Sequence, residues 1–249
     1  MFEKLKIISL SIDRLSFRES LDKVMQWGLS HKPAYVCFAN VHMTIEAFKD
    51  PLFLEQLNNA SLVVADGKPI AVASNILYGK KQERISGMDF MPCILEEANA
   101  AKATIFLYGS SDHVLDELQK KIASTYPTVK IGGAISPPFR TLEQSEQEAY
   151  INQMNESGAN FVFVALGCPK QEKWMADNYK KINATLLGVG GAFPVVAGIH
   201  RRSPEWMQHW GLEWMYRLIQ EPRRMFKRYL YTNSYFLYLL AKEKIKSGP

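Results

Sequence analysis

The chain has 249 residues, 47% hydrophobic and 22% charged, enough apolar material for one full core or for one domain with a small appendage. Its formal net charge of +5 is compatible with phosphorylated ligands, anionic membrane surfaces or nucleic acid and selects none of them. Cys37, Cys93 and Cys168 are too scattered for a disulfide framework or a metal site, no stretch reaches the apolar length of a transmembrane helix, and residues 1–12 are too short an apolar stretch for a signal peptide, so a cytoplasmic protein is expected.

Short apolar runs at 6–10, 34–39, 62–65, 104–108, 130–134, 161–166 and 185–189 read as strands. Helical patterns at 17–28, 88–101, 113–126, 142–155 and 170–178 fall between them. This alternation predicts an α/β fold, Rossmann-like, with a largely parallel sheet and helices on both faces. Composition changes near residue 200. From 200 to 249 ten Lys/Arg stand against four Asp/Glu, together with Trp206, Trp210, Trp214 and many Tyr and Phe. An amphipathic helix or helix pair, interrupted near Pro222, is expected there. Residues 1–200 thus read as the core. Residues 201–249 read as a helical appendage, removable without unfolding the core, that either docks with its arginines at a site or lies in a membrane interface.

The segment Leu62-Val63-Val64-Ala65-Asp66-Gly67-Lys68-Pro69 ends a buried strand on one acid and a turn. In open α/β sheets ligands bind at that edge, which makes Asp66 a candidate general base. The alternative is that Asp66 is the N-cap of the helix beginning near Pro69. Three further strand exits resemble ligand loops. Gly109-Ser110-Ser111 leads into a helix whose first N–H groups suit phosphate or ribose oxygens. Gly167-Cys168-Pro169-Lys170-Gln171-Glu172 puts a cation and an amide in a first helical turn, where acids are usually favoured. Gly188-Val189-Gly190-Gly191 is the third. The dinucleotide G-x-G-x-x-G fingerprint, the P-loop and H-E-x-x-H are all missing from the sequence. One poised acid, several cations and no metal motif suit group transfer from a diphosphate leaving group.

Asn40-Val41-His42, Asp66-Gly67-x-Pro69, Arg84-x-x-Gly87-x-Asp89, Gly167-x-Pro169-Lys170-Gln171-Glu172 and Gly190-Gly191-Ala192-Phe193 occur in that order. Arg202-Ser203-Pro204-x-Trp206, Gly211-Leu212-Glu213-Trp214-x-x-Arg217-Leu218 and Glu221-Pro222-Arg223-Arg224 follow. This series, from about residue 34 to 240, strongly resembles the WecG/TagA/CpsF glycosyltransferases. The resemblance implies an inverting transferase that moves a sugar, N-acetylmannosamine-type or another hexose, from a UDP-sugar to a polyprenyl-diphosphate-linked saccharide. The work would be done at the inner face of the cytoplasmic membrane, in cell-surface polysaccharide synthesis, with no cofactor and no metal.

The resemblance also places the base on Asp66, polar substrate contacts on Asn40, Arg84 and Gln171, and diphosphate-closing arginines on Arg217 and Arg224, with Arg228 or Lys227 as a further candidate. The glycine exits (Gly67, Gly109, Ser110, Gly167, Pro169, Lys170, Gly190, Gly191) are expected to bind substrate. One departure is Phe38, where many members carry Thr two residues before the Asn; it leaves the sugar or acceptor preference open. No nucleic-acid partner is expected, and a homo-oligomer is left open, since a neighbouring chain could complete a closed tail. The rival readings are an NAD-dependent nucleotide-sugar epimerase or oxidoreductase, and a basic nucleic-acid-binding module.

Overall fold

The computed structural model describes residues 2–220 and 222–246, without the side chains of His209, Arg223, Arg224, Met225, Lys227 and Arg228. Two strands, β1 (Lys4–Ile7) and β2 (Leu10–Asp13), form an antiparallel hairpin. A six-stranded, all-parallel sheet follows, built from β3 (Ala34–Ala39), β4 (Leu62–Ala65), β5 (Thr104–Gly109), β6 (Lys130–Ile135), β7 (Phe161–Ala165) and β8 (Thr185–Gly188) in the order β4-β3-β8-β7-β5-β6. The helices are α1 (Phe17–Leu29), α2 (Val41–Lys49), α3 (Pro51–Asn58), α4 (Lys68–Tyr78), α5 (Gly87–Ala101), α6 (Asp112–Thr125), α7 (Gln144–Glu156), α8 (Lys170–Asn178) and α9 (Ala192–Val196). Near the C-terminus come α10 (Glu205–Trp210), α11 (Glu213–Gln220) and α12 (Pro222–Lys246).

Side chains alternate across each strand, and the sheet is buried on both faces. In β3, Tyr35, Cys37 and Ala39 join a core with residues of α2, α3, α8 and α12. Ala34, Val36 and Phe38 point the other way, into a core shared with α1, α5, α6 and α9. The expected Rossmann-like α/β architecture is what the chain adopts.

Three features differ from the expectations. The run at 6–10 is not one strand: Ile8 has φ +62° and turns the chain, so Ile7 and Leu10 face each other across the hairpin. The second strand protects the sheet, because buried Asp13 accepts from the Val63 N–H at 2.8 Å on the open edge of β4. Two short helices, α2 and α3, went unpredicted; each starts on a capping side chain, Asn40 accepting from Met43 N–H at 3.1 Å and Asp50 from Phe53 N–H at 3.2 Å.

The appendage is also less separable than composition implies. Phe236, Leu239 and Leu240 of α12 are buried in the same core as α2, and Glu243 accepts from the Ile8 N–H at 2.8 Å. Removing residues 201–249 would uncover that face of the core.

Candidate active site

The carboxyl ends of β3, β4, β7 and β8 open into one cavity of about 380 Å³, roofed by α11 and the first half of α12. That volume is of the size that holds small organic ligands. The lining includes Asn40, Asp66, Gly67, Gly167, Gln171, Gly190, Gly191 and Arg217, so four chain segments and the appendage converge on one space.

Asp66 stands on its floor. The Asp66 N–H donates to Ala39 O at 2.8 Å and the Ile85 N–H to Ala65 O at 2.8 Å, which extends the ladder one residue past β4 and fixes the acid at the edge. Gly67 then turns the chain with φ +93°, a left-handed value that favours glycine, and serves as N-cap of α4 with no side-chain capping bond. The capping alternative for Asp66 is therefore not what the structure contains. Its carboxyl is hemmed in by protein, and this desolvation, the largest influence, pushes it up to about 6. Arg217 and Arg84 pull it down, Glu213 pushes it up, and a hydrogen bond from the Ser86 hydroxyl lowers it.

Arg217 projects from α11 over Gly191. A Cβ built on Gly191 would lie 2.8 Å from Arg217 Nη2, so the absence of a side chain there makes the room for the guanidinium. Lys68, also on the lining, packs against Gly211 in the same way: a Cβ there would meet Lys68 Cδ at 2.8 Å. Asn40 spends its amide oxygen on the α2 cap, so its NH2 is the end it can offer the cavity.

Gln171, expected as a polar substrate contact, lines the cavity and bonds within the protein. Its Oε1 accepts from the Gly167 N–H at 3.2 Å, and its Nε2 donates to Gly188 O at 2.9 Å and to Glu172 Oε1 at 2.6 Å. The amide thus ties the β7 exit to the β8 exit. A Cβ on Gly190 would stand 3.1 Å from Gln171 Oε1, which accounts for glycine at that turn, where φ is +46°. Glu172 is fully buried, its Oε2 has no hydrogen-bond partner among the described residues, and burial pushes it up to about 7.

Other expected contacts lie elsewhere. Gly109 and Ser110 are outside the lining; glycine is needed there because a Cβ would approach the Ala165 carbonyl carbon to 2.6 Å, and φ is +109°. The Ser110 N–H is taken by Ala165 O at 3.0 Å. Pro169 precedes α8, and Lys170 points outward to solvent, so neither reaches the cavity. Arg84 sits behind the lining with its guanidinium shared between Glu213 and Asp89. The side chains of Arg224, Lys227 and Arg228 fall outside the described residues. Ser86, Glu213, Lys68 and Arg202 line the cavity or act on Asp66 without having been singled out for it. Of these, Glu213 and Arg202 lie within the quoted motifs. Phe38, packed edge-to-face on Phe90 at 5.4 Å between centroids, puts the departure from the usual Thr inside the site.

The whole chain is similar to known proteins. The profile of the glycosyl transferase WecG/TagA/CpsF family matches residues 5–248. An N-acetylglucosaminyldiphosphoundecaprenol N-acetyl-beta-D-mannosaminyltransferase of Bacillus subtilis (strain 168) is 34% identical over 215 residues, 86% of this chain and 81% of the relative. Proteins of the same name from Bacillus spizizenii (29% identical, 88% of this chain and 83% of the relative) and Staphylococcus aureus strain MW2 (26%, 98% and 94%) are similar too. A match of this extent, on a parallel α/β sheet whose motif residues meet at one cavity, shows that the chain belongs to the WecG/TagA/CpsF family of glycosyl transferases.

Proposed function

We propose that the chain is an inverting, metal-independent hexosyltransferase that carries an N-acetylmannosamine-type sugar from UDP to a saccharide on a polyprenyl diphosphate. The observation that carries this reading is the pairing, in one cavity, of a half-buried acid held near neutrality with a guanidinium roofing a glycine turn. The acceptor and the sugar are those in the names of the relatives.

The mechanism is a single displacement. Asp66, ionised above about pH 6, takes the proton from an acceptor hydroxyl. That oxygen forms its bond to the anomeric carbon from the face opposite the nucleotide, as the bond to the UDP oxygen breaks and the configuration inverts. Negative charge grows on the departing diphosphate, where Arg217 meets it. The turn at Gly190 and Gly191 carries no side chains of its own, which leaves room for Gln171 and for the Arg217 guanidinium over the cavity. Gln171 keeps the two glycine exits in register and acts through them.

No helix among the described residues is long and apolar enough to cross a membrane. Trp206, Trp210, Ile219, Phe226 and Leu230 are exposed on the basic C-terminal helices, which supports peripheral docking on the inner, anionic face of the cytoplasmic membrane. The test of the reaction is Asp66→Asn, assayed for acceptor-dependent UDP release and separately for UDP-sugar binding. Lost transfer with retained binding is expected; transfer at the wild-type rate would remove Asp66 as the base.

A further inference from the structure

A chain of four alternating charges crosses the rim of the cavity. Glu213 of α11 pairs with Arg84; Arg84 Nη2 pairs with Asp89 of α5 at 2.9 Å; and the second oxygen of Asp89 holds Arg202, which precedes α10. Both ends of the Arg84 guanidinium are therefore spent within the protein. The Arg84 and Glu213 side chains are only 19% and 23% exposed, so water and salt screen their attraction far less than at an open surface.

An acid in this place needs a reason. Glu213 lines a cavity that the proposed reaction fills with a diphosphate, and a carboxylate there repels that ligand unless a cation neutralises it. Its position on α11 supplies the reason. Glu213 and Arg217 are four residues apart, one helical turn, and so share a face. Anchoring Glu213 to Arg84 fixes the rotation and depth of α11, and with them the seat of Arg217 on Gly191. The contact of Arg217 Nη2 with Met88 Sδ at 3.7 Å lies beside the same anchor, in the first turn of α5.

We infer that Glu213 is a positioning residue: through its ion pair with Arg84 it latches the C-terminal helices onto the core and so delivers Arg217 to the site of bond cleavage. Arg84 then serves as the core half of the latch rather than as a substrate contact. The catalytic half of this inference rests on the transferase reading; the structural half does not.

The test uses the full chain with Glu213→Gln, Arg84→Met and both together. Hydrogen exchange should quicken at least tenfold across 205–220 in Glu213→Gln while the parallel strands keep their protection. In steady-state assays each single variant should lose at least tenfold in kcat/KM at pH 7.5, and the double variant should be no worse than the poorer single within about threefold, since one latch breaks only once. The pH profile gives a readout that mere loosening would not move. Asp66 faces Arg217 and Glu213 from α11 and Arg84 and Ser86 from the segment before α5. It shares the cavity with His42, Lys68, His200, Arg201 and Arg202. Arg217 pulls it down more strongly than Glu213 pushes it up, so with the latch broken and Arg217 unseated the acidic limb should move to higher pH in Glu213→Gln, whereas a move to lower pH would mean that Arg217 has kept its seat and would overturn the latch.

Unchanged exchange across 205–220 would overturn the latch. Losses that multiply in the double variant would overturn it as well, because they would make Arg84 and Glu213 independent contacts. If the wild type itself turned over no donor, the proposed function would fail, and the exchange result would still decide the latch.

Discussion

Replacing Asp66 by Asn should abolish transfer and stabilise the protein, and both effects have calculable sizes. The rise of the carboxyl from 3.8 to about 6 amounts to about 3 kcal/mol of preference for the protonated form in the folded state. At pH 7 roughly nine molecules in ten still carry the carboxylate, so wild-type kcat/KM should fall about tenfold per pH unit below about 6. Asn cannot take a proton, and the expected loss at pH 7.5 is roughly 10²–10⁴-fold. The stability effect has a definite sign. A carboxyl whose folded pKa is raised costs nothing below its unfolded value; the cost grows between 3.8 and about 6 and is constant above. Asp66→Asn should thus exceed the wild type by up to about 3 kcal/mol at pH 7.5, roughly 6–12 °C in Tm for a chain of this size, and the two should converge near pH 4. The assay is UDP release at pH 4.5–8.5 with thermal melts in the same buffers. A variant that transfers normally, or a Tm gain that persists undiminished at pH 4, would refute the reasoning.

Gly191→Ala should cut kcat/KM for the donor at least tenfold with little change in Tm, because the new Cβ, 2.8 Å from Arg217 Nη2, displaces only the end of a flexible side chain; a wild-type rate would mean that Arg217 works from another position. Glu172→Gln should be more stable than the wild type by up to about 3 kcal/mol above pH 7, the gain vanishing below 4.5, as the raised buried carboxyl requires; denaturant midpoints across pH measure it, and a pH-independent difference would contradict it. Truncation after residue 200 should lower stability severely, since Phe236, Leu239 and Leu240 each contribute about 1.5–3 kcal/mol by burial; a truncated chain with the wild-type melting temperature would show that α12 is dispensable to the core.

The parts of this molecule that follow from local pattern were legible in its sequence. The sheet strands are short apolar runs, and the strand-Asp66-Gly67-x-Pro69 segment by itself puts an acid at the ligand edge. What local pattern could not show is pairing over distance. Arg84 and Glu213 are 129 residues apart in the chain, and nothing near either residue marks them as partners. The partners of Gln171 besides Glu172, the Gly167 N–H and the Gly188 carbonyl, are backbone groups, which no side-chain pattern marks. Gly109 read as a ligand glycine because a close approach to a neighbouring strand and a close approach to a phosphate demand the same missing side chain. The β1–β2 hairpin was hidden because Ile8, an apolar β-branched residue, takes the left-handed turn position usually left to Gly or Asn.

The most direct test of the central claim is UDP release from a panel of UDP-sugars, with and without a short-chain polyprenyl-diphosphate sugar, in EDTA. Release from one donor that depends on the acceptor and survives EDTA is the predicted result. A folded protein that neither binds UDP nor releases it from any donor would contradict the account.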